Sequence, residues 1–296
     1  MLVLLQGTLV SVAQLSSPIP PWLGLIIAAA VFGVMFSIGL MIGRAQLAAA
    51  VHRRGVIVLA LFAALVAVPA VAVLAAQLAG LRGAVAAGIL LMAISPGAPV
   101  ALRRALEAGG GALFAPALHL AILTLAVVSV PASLGVLNVI YGKSFSISAL
   151  DVGGQVFFAQ LLPIGLGTAL RAWRPAAASR LEARIVRVLN PALLAVVALL
   201  VVVLWPALAE VGWTPFAAGA ALSGGALALG AACVWRDRAA RPVAAVASAM
   251  RNPGLALLIA TVNKLPAAVS AAALGYALGG ALVITLFVLG LARRGR

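Results

Sequence analysis

The chain reads as an all-α polytopic membrane protein of about nine spans, each near the length that crosses a bilayer. Composition, the placement of basic residues and the placement of tryptophan all point there. Hydrophobic residues fill 65% of 296 positions and charged residues only 8%, against roughly half and a quarter in soluble domains. Water cannot solvate that much apolar surface, so lipid must. The net charge of +15 does not mark a nucleic-acid binder. The arginines sit in short gaps between apolar runs, with no separate basic domain, and read as a topology signal.

Residues 1–20 form a short N-terminal segment. It has no Lys or Arg, which argues against a signal peptide, and its apolar part is short for a span. Apolar runs then fall at 21–43, 55–79, 83–108, 112–140, 152–173, 186–207, 213–235, 239–263 and 266–292. When every second gap is placed on one face, that face collects sixteen basic residues, among them Arg44, Arg53, Arg103, Arg180, Arg236 and Arg293. The other face collects Arg82, Lys143 and Lys264, and Arg251 is left inside a run. Retention of basic loops inside predicts a cytoplasmic C-terminus and an outer N-terminus, in a bacterial inner membrane. Trp22, Trp173, Trp205, Trp213 and Trp235 fall at run ends, where indole prefers the headgroup level. Cys233 is alone and cannot form an internal disulfide.

Two runs carry proline-glycine clusters at mid-depth: residues 96–99, with Pro96, Gly97 and Pro99, and residues 252–254, with Asn252, Pro253 and Gly254. Proline removes a helix hydrogen bond and glycine permits a sharp turn, so both helices should break there. Single prolines such as Pro69, Pro131 and Pro163 should only kink theirs. The breaks lie five runs apart, an odd separation, which predicts an inverted repeat. Broken helices in matching halves point to a transport site, because the freed backbone groups must face a cavity, an ion or a solute.

The candidate substrate-binding residues cluster near these breaks: Arg251, Asn252, Ser248, Gly97, Arg103 and Arg104, with His119 on the fourth run. A charge at the centre of a span costs about 3 kcal/mol on insertion scales and marks a pathway by default. Arg251 sits where a half-helix would end, so it can hold exposed carbonyls, bind an anion, or both. Arg103 and Arg104 read either as inner-face topology charges or as an anion-attracting vestibule. His119 reads as packed and neutral more readily than as a proton carrier. No nucleotide loop, metal-ligand cluster or nucleophile–base arrangement is present. No cofactor, metal or nucleic-acid partner is therefore expected, nor an enzyme; the oligomeric state is left open.

Three segments carry a family resemblance: Met35-Phe36-Ser37-Ile38-Gly39-Leu40; Pro96-Gly97 followed by Leu106 and Gly109; and Met250-Arg251-Asn252-Pro253-Gly254-Leu255-Ala256-Leu257. In order and spacing they resemble the bile acid:sodium symporter family. The resemblance implies a panel bundle from 21–43 and 152–207, and a core bundle from 55–140 and 213–292 whose broken helices cross. It also implies two sodium sites built from polar side chains. At the matching positions this sequence has Ala64, Val100, Ala101, Phe114, Leu118 and Ala247, with Arg251 in place of a Gln. Sodium needs oxygen ligands. The chain is therefore expected to carry a small organic solute, anionic and amphipathic, without sodium. Sodium coupling through other ligands, a channel and a non-transporting sensor are the alternatives.

Overall fold

The computed structural model describes residues 21–109, 111, 113–142 and 147–294. The N-terminal segment 1–20 and Lys143 lie outside the described residues. The described chain is helical, and its β-type pairing is an isolated antiparallel bridge between Pro96 and Arg251. In chain order the helices are α1 (Pro21–Met41), α2 (Arg44–His52), α3 (Arg54–Leu78), α4 (Gly83–Ala93) and α5 (Pro99–Glu107). They continue with α6 (Phe114–Tyr141), α7 (Ala149–Trp173), α8 (Pro175–Val203) and α9 (Trp205–Val211). The last four are α10 (Thr214–Cys233), α11 (Arg241–Ala249), α12 (Pro253–Val262) and α13 (Ala267–Arg294).

Seven described helices are long and apolar enough to cross a membrane: α1, α3, α6, α7, α8, α10 and α13. The pairs α4/α5 and α11/α12 are the two interrupted segments. All five tryptophans lie at helix ends and are more than half exposed, as the interface reading requires.

The structure corrects the sequence reading in three places. Residues 174–185, the gap between two apolar runs, are not a loop: from Pro175 onward they form the first turns of α8. Proline at the first helical position and an alanine-rich start favour helix there, so the helix continues past the apolar run. Residues 44–52 likewise form a short helix, α2, where the Gln46 side chain accepts from the Gly43 N–H at 3.0 Å. Third, the breaks begin two residues earlier than expected, spanning 94–98 and 250–252. Pro99 and Pro253 open the second half-helices, and Gly254 lies inside α12. Proline needs no N–H donor at that position and its fixed φ suits a helix start.

Pro69 and Pro163 act through a π-turn rather than a simple kink. Residues Ala63–Ala67 and Phe157–Leu161 each form one π-helical turn that ends two residues before the proline. A proline ring clashes with the carbonyl four residues back; here that carbonyl belongs to Leu65 or Ala159, inside the widened turn. Pro131 lies within continuous α6.

Small residues let the helices approach closely, as is usual where lipid provides no hydrophobic drive. A Cβ on Gly39 would strike the Ile164 carbonyl, and one on Gly167 would strike that of Phe36, so α1 and α7 meet backbone to backbone. Gly219 and Gly279 do the same between α10 and α13, and Gly88 between α4 and α13. Helices α1, α7 and α8 pack on one another, while α10 packs on α11 and α13, and α4 on α13. On the arginine-rich face Arg53 pairs with Asp237 and lies over the Phe114 ring, 4.5 Å from its centroid. Burial works to raise the Asp237 pKa, but the hydrogen bond from Arg53 and the Ala240 N–H outweigh it and hold the carboxyl below its ordinary value.

Candidate functional site

The two interruptions meet. At the first, α4 ends as Ser95 Oγ turns back to the Leu91 carbonyl at 2.7 Å. Gly97 then takes φ +76°, and a Cβ there would press Leu123 Cδ2 at 2.5 Å. The positive φ favours glycine there, while the Leu123 side chain could shift to relieve the contact. At the second, Met250 leaves α11 in an extended conformation. Asn252 caps α12, its Oδ1 accepting from the Leu255 N–H at 3.1 Å, which is the usual N-cap chemistry. The Asn252 N–H donates to the Ser95 carbonyl at 2.8 Å, and Nδ2 reaches the Gly97 carbonyl at 3.5 Å. Backbone groups freed by one break are thus satisfied by the other, and lipid could not have done so.

Arg251 ties this crossing to a third helix. Its side chain is buried. Nη1 donates to the Ala64 carbonyl at 2.9 Å and Nη2 to the Ser248 carbonyl at 2.7 Å, while Nε has no partner. Ala64 lies in the π-turn of α3, whose widened backbone packs on α10 and α11. Ser248 lies in the last turn of α11, where carbonyls carry partial negative charge.

A cavity of about 270 Å³ lies beside the crossing, lined by Arg251 and Asn252, by Ser223 of α10 and Tyr276 of α13, and by Val31 and Leu193 of α1 and α8. Val34, Val100, Arg104, Leu193 and Val197 also line a wider vestibule of about 730 Å³. The vestibule includes Arg103, Glu107 and Glu182, so the cavity continues toward the arginine-rich face.

The candidate residues separate accordingly. Arg251, Asn252 and Arg104 line the cavity. Arg103 reaches only the vestibule, and Glu107 lies 3.7 Å from Arg103 and 2.9 Å from Arg104, partly neutralising both. Ser248 contributes its carbonyl to Arg251 while its hydroxyl faces Gly230. Gly97 shapes the turn, and it is Ala98 that lines the cavity. His119 is buried in α6 and lines neither space. Tyr276 and Ser223 escaped the sequence reading. Their only signal was polarity inside apolar helices, which packing residues share.

The model of the Sodium Bile acid symporter family matches residues 28–211, well over half of the chain. The chain belongs to the Sodium Bile acid symporter family. The match ends before α11 and α12, so the second half of the crossing, with Arg251, lies beyond it. No curated protein matches the chain. At the positions that the sequence resemblance matched to sodium-binding side chains, Ala64, Ala101, Phe114, Leu118 and Ala247 are buried apolar groups, and Val100 is exposed. The oxygen at Ala64 is a backbone carbonyl already bonded to Arg251. These side chains do not fit a sodium ion.

Proposed function

We propose that the protein is a secondary transporter of a small organic anion that works without sodium. The observation that carries this reading is the buried guanidinium of Arg251, held by the Ala64 and Ser248 carbonyls of two helices. A permanent positive charge there neutralises the half-helix end that an ion would otherwise serve, and it repels a second cation. The crossing of two interrupted helices beside a cavity supports alternating access about an inverted repeat. In this reading α1, α7 and α8 form the panel, and α3–α6 with α10–α13 form the core against which it moves.

The continuous cavity and vestibule support an inward-facing state, with the arginine-rich face cytoplasmic. On the opposite face, Asn263 Nδ2 donates to Gln155 Oε1 at 3.3 Å, joining the end of α12 to the start of α7. That contact closes the outer side in this reading. No group of three or more metal-ligating side chains occurs among the described residues, and no residue is assigned a catalytic role.

The family's name favours a competing reading, sodium-coupled symport, and one experiment separates them. The purified protein in lipid nanodiscs should unfold at the same temperature in sodium chloride and potassium chloride of equal ionic strength. Sodium-specific stabilisation at millimolar concentration would overturn the proposal.

A further inference from the structure

Helix α8 has 29 residues, about 43 Å at 1.5 Å per residue. That exceeds the roughly 30 Å of bilayer hydrocarbon. Trp205, 64% exposed, follows its C-terminal end, where indole marks the headgroup level. Counted back along the helix from Trp205, Arg187 lies about 27 Å away and Arg180 about 38 Å away. The three arginines of α8, Arg180, Arg184 and Arg187, therefore straddle the far edge of the hydrocarbon and enter the headgroup layer there.

These arginines also share one side of the helix. Steps of four and three residues keep them within about 60° of one another, and all three are exposed. The stripe continues through Pro191, Leu194, Ala198 and Val202, which are exposed as well, so it faces lipid along the span. The acidic side chain of α8 is sorted to the other side, where Glu182 lines the vestibule with Val186 and Leu189. Among the described residues no carboxylate pairs with Arg180, Arg184 or Arg187. A topology signal needs basic residues only in a loop. It does not require them stacked on the lipid-facing stripe of a helix. The adjoining corner is tied down: Arg171 Nη1 donates to Ser179 Oγ at 2.5 Å, joining the end of α7 to the second turn of α8.

We infer that Arg180, Arg184 and Arg187 bind the phosphodiester headgroup of an anionic phospholipid in the leaflet at the arginine-rich face, with an acyl chain along Leu194 and Val202. A guanidinium presents paired donors that match phosphate oxygens. Its alkyl stem lies along apolar surface while the charged head stays at the interface. A zwitterionic lipid carries its own ammonium beside the phosphate, so net negative charge sets the preference. The site does not rest on the transport reading.

The test is lipid binding to the full chain in detergent micelles, read by native mass spectrometry. The probes are dioleoylphosphatidylglycerol and dioleoylphosphatidylcholine. The wild type should retain phosphatidylglycerol in preference. The triple variant R180Q/R184Q/R187Q should lose about a hundredfold in affinity for it, at the usual contribution of a basic residue near an anionic surface, and bind phosphatidylcholine as before. The control R44Q/R236Q/R238Q removes equal charge from exposed positions on the same face and should keep wild-type affinity. Should the α8 triple variant fail to assemble, Arg184→Gln alone decides, with a loss of about fivefold. Equal loss in both triple variants, no preference between the lipids, or unchanged affinity in the α8 variant would overturn the site and leave only the general attraction of a basic surface. Displacement of phosphatidylglycerol by millimolar inorganic phosphate would assign a soluble anion instead and overturn it. A lipid-free dimer dissociated by the α8 substitutions would give this face to a second copy, with the same consequence.

Discussion

Arg251 shows how one residue sets the character of the crossing. Its two Nη bonds run to carbonyls whose own ladders are disturbed, one by a π-turn and one by a helix end. Replacing it removes two charge-assisted bonds and leaves acceptors buried. Each such loss costs about 1–3 kcal/mol. Arg251→Ala should therefore lower stability by about 2–5 kcal/mol, read from thermal or denaturant unfolding in lipid. Arg251→Lys should recover only part of it, because a single ammonium lacks the planar fork that meets two acceptors at once. A variant as stable as wild type would remove the structural role from Arg251.

At the scale of the element, proline shapes the site from a distance. Pro69 cannot donate to the carbonyl four residues back, and the π-turn Ala63–Ala67 accommodates the clash. The same turn offers the Ala64 carbonyl to Arg251. Pro69→Ala restores the missing donor and should favour a regular helix, drawing that carbonyl inward. The predicted signature is coupling: Pro69→Ala should cost stability in the wild type and cost little in an Arg251→Ala background. Additive losses would sever the π-turn from the site.

A second element-scale prediction concerns the Arg53–Asp237 pair, which ties the α2–α3 corner to the loop before α11. The folded-state pKa of Asp237 is depressed. Its contribution to stability is therefore fully present above the unfolded carboxylate value, about 3.9. It fades as pH falls through that value toward the lower folded one. Asp237→Asn should flatten the acid limb of the unfolding profile there and leave neutral-pH behaviour close to a surface substitution. An unchanged acid limb would show that the pair carries no linkage.

For the whole molecule, the testable property is orientation. The sixteen basic residues on one face and three on the other favour a cytoplasmic C-terminus. With Cys233 replaced by Ser, a cysteine at Lys264 should react with an impermeant maleimide added outside intact cells. One at Arg180 should react only after permeabilisation. Lys264 has φ +53° in the turn after α12, so its labelling is read beside a stability control. Reversed labelling would invert the assignment and place the vestibule on the outer face.

Hydropathy, basic-residue alternation and proline-glycine placement were legible without coordinates because each is a local response to lipid. A span must be apolar along its length, a loop can hold charge, and a broken helix needs residues that tolerate the break. Those rules predicted the helical class and the two interruptions, and they singled out Arg251 as a charge inside a span. They could not show that the guanidinium of Arg251 meets the carbonyl of Ala64, 187 positions away in the chain, since any backbone carbonyl has the same sequence signature. Nor could they separate Tyr276 and Ser223, which line the cavity, from His119, which does not. A polar residue in an apolar helix announces only that it needs a partner. Which partner it finds depends on how that helix is rotated and packed, and this is decided by close glycine contacts between helices distant in sequence.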